Sequence, residues 1–187
     1  ASGYKTISNE ALLIYNQKVQ TTFSKTSGNV TFKVQYPENI TCGMPTTFKL
    51  SSEGTTDKVQ YALYSLTTED GTIVYDTSYG SNGKFFSKDS FDFTFYASGT
   101  YYIRFAIMDT GVSPYVWFNT GLYGIKLVID DKGYPTVENV VADLKAQCGK
   151  TCTTDFEKAV WFNDWLVENC RYDSSYSYCA PEGALAR

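Results

Sequence analysis

Residues 91–107 read F-D-F-T-F-Y-A-S-G-T-Y-Y-I-R-F-A-I, and two runs of alternating apolar and polar residues lie within this stretch. The apolar positions of the first run are Phe91, Phe93 and Phe95. Those of the second run are Tyr101, Ile103, Phe105 and Ile107. Because successive side chains of a strand point to opposite faces, a period of two places each apolar set on one side. The stretch therefore predicts two half-buried β-strands joined by a short turn.

Further strands are predicted around this pair. They cover residues 30–36, 46–51, 59–66, 73–75 and 122–129, with turn residues between them and no helical period. Seven or so short strands in this order predict an immunoglobulin-like sandwich of two antiparallel sheets over residues 29–131. Phe93, Ile103, Phe105 and Leu127 are expected to be buried between the sheets. Residues 1–28 are predicted to be a linker or stalk.

One segment inside the predicted sandwich resembles a known pattern. Gly99 and Tyr101 open a strand that ends near Asp109 and Gly111. This arrangement resembles the late strand of immunoglobulin-like and PKD-like modules of bacterial surface proteins. The resemblance implies the sandwich architecture and carries no information about a ligand.

Two helices are predicted after the charged breaker segment D-D-K-G-Y-P at residues 130–135. The first covers residues 136–147 and ends at Gly149. The apolar face of this first helix consists of Val137, Val140, Val141 and Leu144. The second begins after Thr154, whose spacing to Glu157 is that of a capping box. Its apolar residues are Phe156, Ala159, Val160, Phe162, Trp165, Leu166 and Val167, so it is expected to be buried on more than one side.

This second helix and the residues after it resemble the opening of transglutaminase-like domains of secreted bacterial proteins. The matching residues are Lys158, Ala159, Asp164 to Val167, Asn169, Tyr172, Asp173 and Glu182 to Leu185. In that family a Gly-rich turn and a nucleophilic Cys come next, and a His and an Asp follow much later. This chain ends at Arg187 and contains no His. No catalytic residue of the family can therefore be assigned here, and residues 132–187 are expected to be the first helices of a truncated α+β domain.

Five cysteines limit the possible sulfur chemistry. Cys148 with Cys152, and Cys170 with Cys179, form two local pairs at the two ends of the second helix, and Cys42 stands apart. We predict a disulfide in each pair and a free Cys42, as expected for a secreted protein. Five reduced thiols and a four-cysteine zinc site are the alternatives. A nucleophilic role for Cys170 is rejected because a helix C-terminus disfavours a thiolate.

Composition excludes some partners and predicts a location. The net charge is −4, which makes nucleic acid an improbable partner, and no run of residues is apolar enough for a membrane span. Ala1 rather than Met opens the chain, consistent with a removed signal peptide and a secreted or cell-surface protein. No metal or cofactor is predicted. Asp130 and Asp131 are interpreted as a solvated turn rather than a calcium site.

Two functions of different classes remain. The first is a non-catalytic N-terminal fragment of a secreted transglutaminase-like protein. Its complete form would be a Cys-His-Asp enzyme acting on a protein or peptidoglycan-peptide substrate, or an inactive relative. The second is a non-enzymatic adhesion or carbohydrate- or protein-binding module of the cell surface. The loop at residues 112–123, with Tyr115, Trp117, Phe118 and Tyr123, is either an aromatic platform or, preferably, core packing. We also expect the terminal helix to expose apolar surface, including Trp161 or Trp165, that serves as a dimer or crystal contact.

Overall fold

The computed structural model describes residues 19–76, 88–113, 116–121, 124–170 and 181. These residues form ten strands and two helices. The strands are β1 (Gln20–Ser27), β2 (Val30–Pro37), β3 (Ile40–Thr41), β4 (Pro45–Glu53), β5 (Val59–Thr68), β6 (Ile73–Asp76), β7 (Ser90–Thr94), β8 (Gly99–Asp109), β9 (Val116–Asn119) and β10 (Ile125–Asp130). The helices are α1 (Val137–Cys148) and α2 (Asp155–Asn169).

The strands form two sheets. The first has the order β1-β2-β4-β7, and each neighbouring pair is antiparallel. The second has the order β3-β10-β8-β5-β6. In addition, β9 pairs with residues 106–109 of β8, while β10 pairs with residues 99–103 of the same strand. The strands β9 and β10 therefore follow one another alongside β8.

Aromatic side chains fill the space between the sheets. Phe105 of β8 is fully buried, and its ring centroid lies 5.3 Å from that of Phe48 and 6.2 Å from that of Phe91 on the other sheet. The ring of Phe32 stacks on Tyr61 across the same gap at 6.1 Å. The four side chains expected between the sheets, Phe93, Ile103, Phe105 and Leu127, are all buried. The predicted two-sheet sandwich is confirmed.

The start of β8 has a feature typical of immunoglobulin-like sandwiches. The hydroxyl of Tyr101 donates a hydrogen bond of 2.9 Å to the carbonyl oxygen of Ala97, four residues upstream. A tyrosine near the start of the penultimate long strand that bonds back in this way is a tyrosine corner. Together with the β2-β4-β7 and β10-β8-β5 pairings, it gives the fold its immunoglobulin-like character.

The far end of β8 is fixed by Asp109, whose side chain is buried. Its carboxylate accepts hydrogen bonds from the Thr56 N–H (2.8 Å), the Thr56 hydroxyl (2.6 Å) and the Gly111 N–H (2.9 Å). These bonds hold the pKa of Asp109 below its usual value, with the Thr56 hydroxyl as the largest cause. A side chain at Gly111 would place its Cβ 2.0 Å from the Thr56 Oγ1, so only glycine fits beside this contact.

Three details of the sandwich differ from the sequence prediction. The strand β1 belongs to the first sheet, so the sandwich begins at Gln20 and not at residue 29, and only residues 1–18 of the predicted stalk lie outside the described chain. The pairing of β3 with β10 is parallel, although two purely antiparallel sheets were expected. The predicted loop at residues 112–123 contains β9. The strands β3 and β9 have only two and four residues, which is too few for an alternating pattern to be recognised.

The breaker segment predicted as a boundary is attached to the sandwich by the Cys42 N–H, which bonds to the Asp130 carbonyl at 2.9 Å, and by the ring of Tyr134. Tyr134 is partly buried against the core, and a Cβ on Gly43 would lie 2.5 Å from its ring. Gly43 has a φ of +76°, which favours glycine for a second reason. Next to it, Cys42 is a buried thiol. Burial and the nearby Asp131 and Asp130 charges raise its pKa to about 12, so this thiol stays protonated at neutral pH.

Candidate functional site: the helix pair

The two helices start where the sequence predicts them. The Thr136 hydroxyl caps α1 by accepting a hydrogen bond of 3.3 Å from the Asn139 N–H, and Gly149 is its C-cap. Leu144 and Cys148 are the buried residues of α1. The helix α1 contacts α2 across the short turn that joins them.

A capping box fixes the start of α2, as predicted. The Thr154 hydroxyl accepts a 3.2 Å hydrogen bond from the Glu157 N–H, and the Glu157 carboxylate accepts a 2.9 Å bond from the Thr154 N–H. The same carboxylate also accepts bonds from the N–H and hydroxyl of Thr153. These backbone and hydroxyl donors, with the Thr154 N–H as the largest cause, lower the pKa of Glu157 to about 2. Glu157 therefore stays charged, and the cap intact, far into acid pH.

Apolar residues lie on two opposite sides of α2. At 100° per residue, Trp161, Phe162 and Trp165 share one side with Lys158. All four side chains are half-buried, and the Trp161 and Phe162 rings meet edge to face at 5.2 Å. Both tryptophans are thus partly covered, whereas one of them was expected among the exposed residues.

The opposite side of α2 is open. Phe156, Val160 and Val167 share this side, and their exposed fractions are 78%, 43% and 74%. Leu166 flanks them and is 51% exposed. We call these four residues the outer face of α2. No residue of α2 is buried, so the prediction that this helix is buried on more than one side was wrong. The expectation that the terminal helix exposes apolar surface is confirmed, on the side away from the tryptophans.

Two cysteines lie in the turn between the helices. Cys148, at the end of α1, is buried, and Cys152 is half-buried. Both are thiols in the structure, and the Cys148–Cys152 disulfide stays a prediction. Burial raises the pKa of Cys148, the hydrogen bond and charge of Cys152 raise it further, and Lys158 acts in the opposite direction. The predicted Cys170–Cys179 disulfide includes Cys179, which lies outside the described residues.

Only part of the segment that resembles transglutaminase-like domains lies within the described residues. Of its described residues, Lys158 forms an ion pair of 3.1 Å with Asp155, and the Asn169 side chain donates to the Trp165 carbonyl at 2.8 Å. Asp164 is exposed. Tyr172, Asp173 and residues 182–185 lie outside the described part of the chain. The visible residues thus stabilise the helix and do not form a catalytic arrangement.

The other sequence candidates provide no chemistry among the described residues. Asp130 accepts from the Lys132 N–H at 3.2 Å, and Asp131 accepts from the Gly133 N–H at 3.0 Å, so both carboxylates belong to a local turn. Within the described ranges, no group of three His, Cys, Asp or Glu could hold a metal ion. The side chains of the predicted aromatic platform, Tyr115, Trp117, Phe118 and Tyr123, lie outside the described part of the structure.

Sequence reasoning missed an open depression of about 400 Å³ beside β3 and β10. Its lining includes Asn39, Thr41, Val128, Asp130 and Lys132. Val128 is 68% exposed there. The lining residues come from two distant segments that meet only because β3 pairs with β10. No local sequence pattern therefore predicts the depression.

No protein-family model matches the chain, and neither a curated protein nor a solved structure is significantly similar to it. In the part of the chain that the structure describes, neither helix is long and apolar enough to cross a membrane.

Proposed function

We propose that this chain is a non-catalytic N-terminal part of a secreted or cell-surface transglutaminase-like protein, in which the immunoglobulin-like sandwich precedes the first two helices of the catalytic domain. The observation that carries the proposal is the outer face of α2. Phe156 and Val167 on this face are exposed over most of their surface, and the helix that carries them begins at a capping box. An apolar face of this kind is typical of a helix that packs against protein.

The occupant of the outer face is the remainder of the transglutaminase-like domain. Leu166 and Val167 belong both to this face and to the motif that resembles that family. In the complete protein, a Cys thiolate would attack a carboxamide or peptide carbonyl with a His as base. The 187 residues contain no His, so they cannot supply that base. The substrate of the complete protein would be a protein or a peptidoglycan peptide.

Val167→Asp tests whether the remainder of the domain covers the outer face. Its effect on the free energy of unfolding is compared between the 187-residue chain and the complete gene product. In the 187-residue chain we expect a change of no more than about 0.5 kcal/mol in the free energy of unfolding, because the side chain is exposed. In the complete gene product we expect a loss of about 2 kcal/mol, because a carboxylate would be buried against apolar side chains. Chemical denaturation of both proteins measures the two values.

Val128→Asp is the matched control for this test. Val128 is exposed to a similar extent, 68% against 74%, but lies on the sandwich. Its substitution should therefore have the same effect in the chain and in the complete product. If Val167→Asp also has equal effects in both, the proposed occupant is wrong.

The second candidate function is a surface module that binds a carbohydrate or a peptide through the sandwich. The observation that favours it is the depression beside β3 and β10, where Asn39, Thr41, Asp130 and Lys132 supply polar groups next to the exposed Val128. Such a mixture of polar and apolar lining suits a sugar or a short peptide. A glycan array with Val128→Asp as the control variant distinguishes this function, since the first proposal predicts no binding there.

A further inference from the structure

The turn between α1 and α2 places two cysteines at a distance that a disulfide can span. The Cys152 N–H donates a 2.9 Å hydrogen bond to the Cys148 carbonyl, so the two residues are one helical turn apart. Four residues of helical rise correspond to a Cα–Cα distance of roughly 6 Å. Disulfides connect Cα atoms about 4.4–6.8 Å apart. The two Cα atoms are thus close enough for a disulfide.

The two sulfurs differ in access to solvent. Cys148 is 1% exposed, whereas Cys152 is half-buried and has the Thr151 hydroxyl 3.6 Å from its sulfur. A small reagent in solution can therefore reach the sulfur of Cys152 and not that of Cys148.

The turn keeps its shape without a covalent bond. The Gly149 N–H bonds to the Lys145 carbonyl at 3.0 Å, and the Lys150 and Thr151 N–H groups bond to the Gln147 and Cys148 carbonyls at 3.1 Å. These backbone hydrogen bonds hold the turn whether or not the two sulfurs are joined.

We propose that Cys148 and Cys152 form a reversible dithiol–disulfide pair, in which Cys152 reacts first with a small-molecule disulfide and Cys148 completes the bridge. This inference does not rest on the function proposed above.

The reaction has two balanced steps. The Cys152 thiol loses its proton, and the thiolate attacks one sulfur of a small disulfide. The S–S bond of the small disulfide breaks, one of its halves leaves as a thiol, and Cys152 carries the other half as a mixed disulfide. The Cys148 thiol then loses its proton, attacks the Cys152 sulfur and releases the second half as a thiol. Two cysteine thiols are oxidised, and one small disulfide is reduced to two thiols.

The bridge would join the end of α1 to the residue two positions before the Thr154 cap of α2. It would therefore fix the connection of the two helices that present the outer face of α2. Reduction would leave the backbone hydrogen bonds of the turn in place, so the helices would persist in both states.

Tryptic mapping under non-reducing conditions tests the pair directly. Trypsin cuts after Lys145, Lys150 and Lys158, so Cys148 and Cys152 fall on the separate peptides 146–150 and 151–158. We expect the reduced chain, treated with glutathione disulfide, to yield these two peptides linked, and excess reduced glutathione to separate them again. During the reaction the glutathione adduct should appear on 151–158 before the linked product.

Two single variants test the order of attack. Cys148→Ser should accumulate the glutathione adduct on peptide 151–158, whereas Cys152→Ser should leave peptide 146–150 unmodified. The proposal is overturned if the linked peptides never form, if the first adduct of the unsubstituted chain lies on 146–150, or if the link resists reduction while the chain is folded. Because the time course uses the unsubstituted chain, the test does not depend on either variant folding.

Discussion

Replacing Phe105 by alanine is expected to lower the free energy of unfolding by about 4 kcal/mol, since truncation of a fully buried phenylalanine removes its contacts and leaves a cavity. Phe105 projects from the central strand of the second sheet, and its ring lies against Phe48 and Phe91 of the first sheet. The alanine would remove the contact that joins the two sheets at this point. Urea denaturation followed by tryptophan fluorescence or circular dichroism measures the loss.

Val128→Ala is the control for Phe105→Ala. Val128 lies on the neighbouring β10 but is 68% exposed, so its truncation should change the free energy of unfolding by no more than about 0.5 kcal/mol. A loss below about 1 kcal/mol for Phe105→Ala would mean that the sheets do not pack over this ring.

The second large effect is expected at Asp109. Its replacement by alanine should cost about 3 kcal/mol, because two Thr56 donors and the Gly111 N–H lose a charged acceptor together. The β4–β5 turn would then lose its attachment to the end of β8. Thr56→Ser keeps both donors and should stay within about 1 kcal/mol of the unsubstituted chain. Equal losses for the two substitutions would contradict the role given to the carboxylate.

The contribution of Asp109 also depends on pH in a defined direction. The folded pKa of Asp109 lies below the value in the unfolded chain, so the unfolded state takes up a proton first as the pH falls. The stabilisation that Asp109 contributes is therefore complete above its pKa in the unfolded chain. It is lost as the pH drops through its pKa in the folded chain. The stability difference between the chain and Asp109→Asn should shrink accordingly in acid. A difference that grows in acid would show the opposite shift.

Local alternation was sufficient to predict the sandwich but not all of its strands. The inward positions of β8 follow a period of two, and the structure buries all of them. In β5 the register shifts between Leu63 and Ser65, so one extra residue interrupts the period there. The strands β3 and β9 have two and four residues, too few for any period to be visible. They form because β10 and β8 present unpaired edges, which is a tertiary effect.

The sequence also predicted only part of the structure of the helix pair. Capping chemistry is local, so Thr154 and Glu157 predicted the start of α2 from their spacing alone. The burial of a side chain, in contrast, depends on tertiary packing. The sequence offers α2 two apolar sides, and only the structure shows that Trp161 and Trp165 lie on the partly covered side while Phe156 and Val167 lie on the open one. The depression beside Val128 was missed for the same reason, since it depends on a pairing between distant strands.

The function proposed above is that these residues precede the catalytic groups of a transglutaminase-like thiol enzyme. Incorporation of a fluorescent primary amine into a glutamine-rich protein, with amide hydrolysis monitored in parallel, tests it most directly. The complete gene product should catalyse one of these reactions and lose it on alkylation of its thiols. The 187-residue chain should catalyse neither, because it contains no His to act as the base. Activity of the chain itself, or a complete gene product with neither activity, would contradict the account.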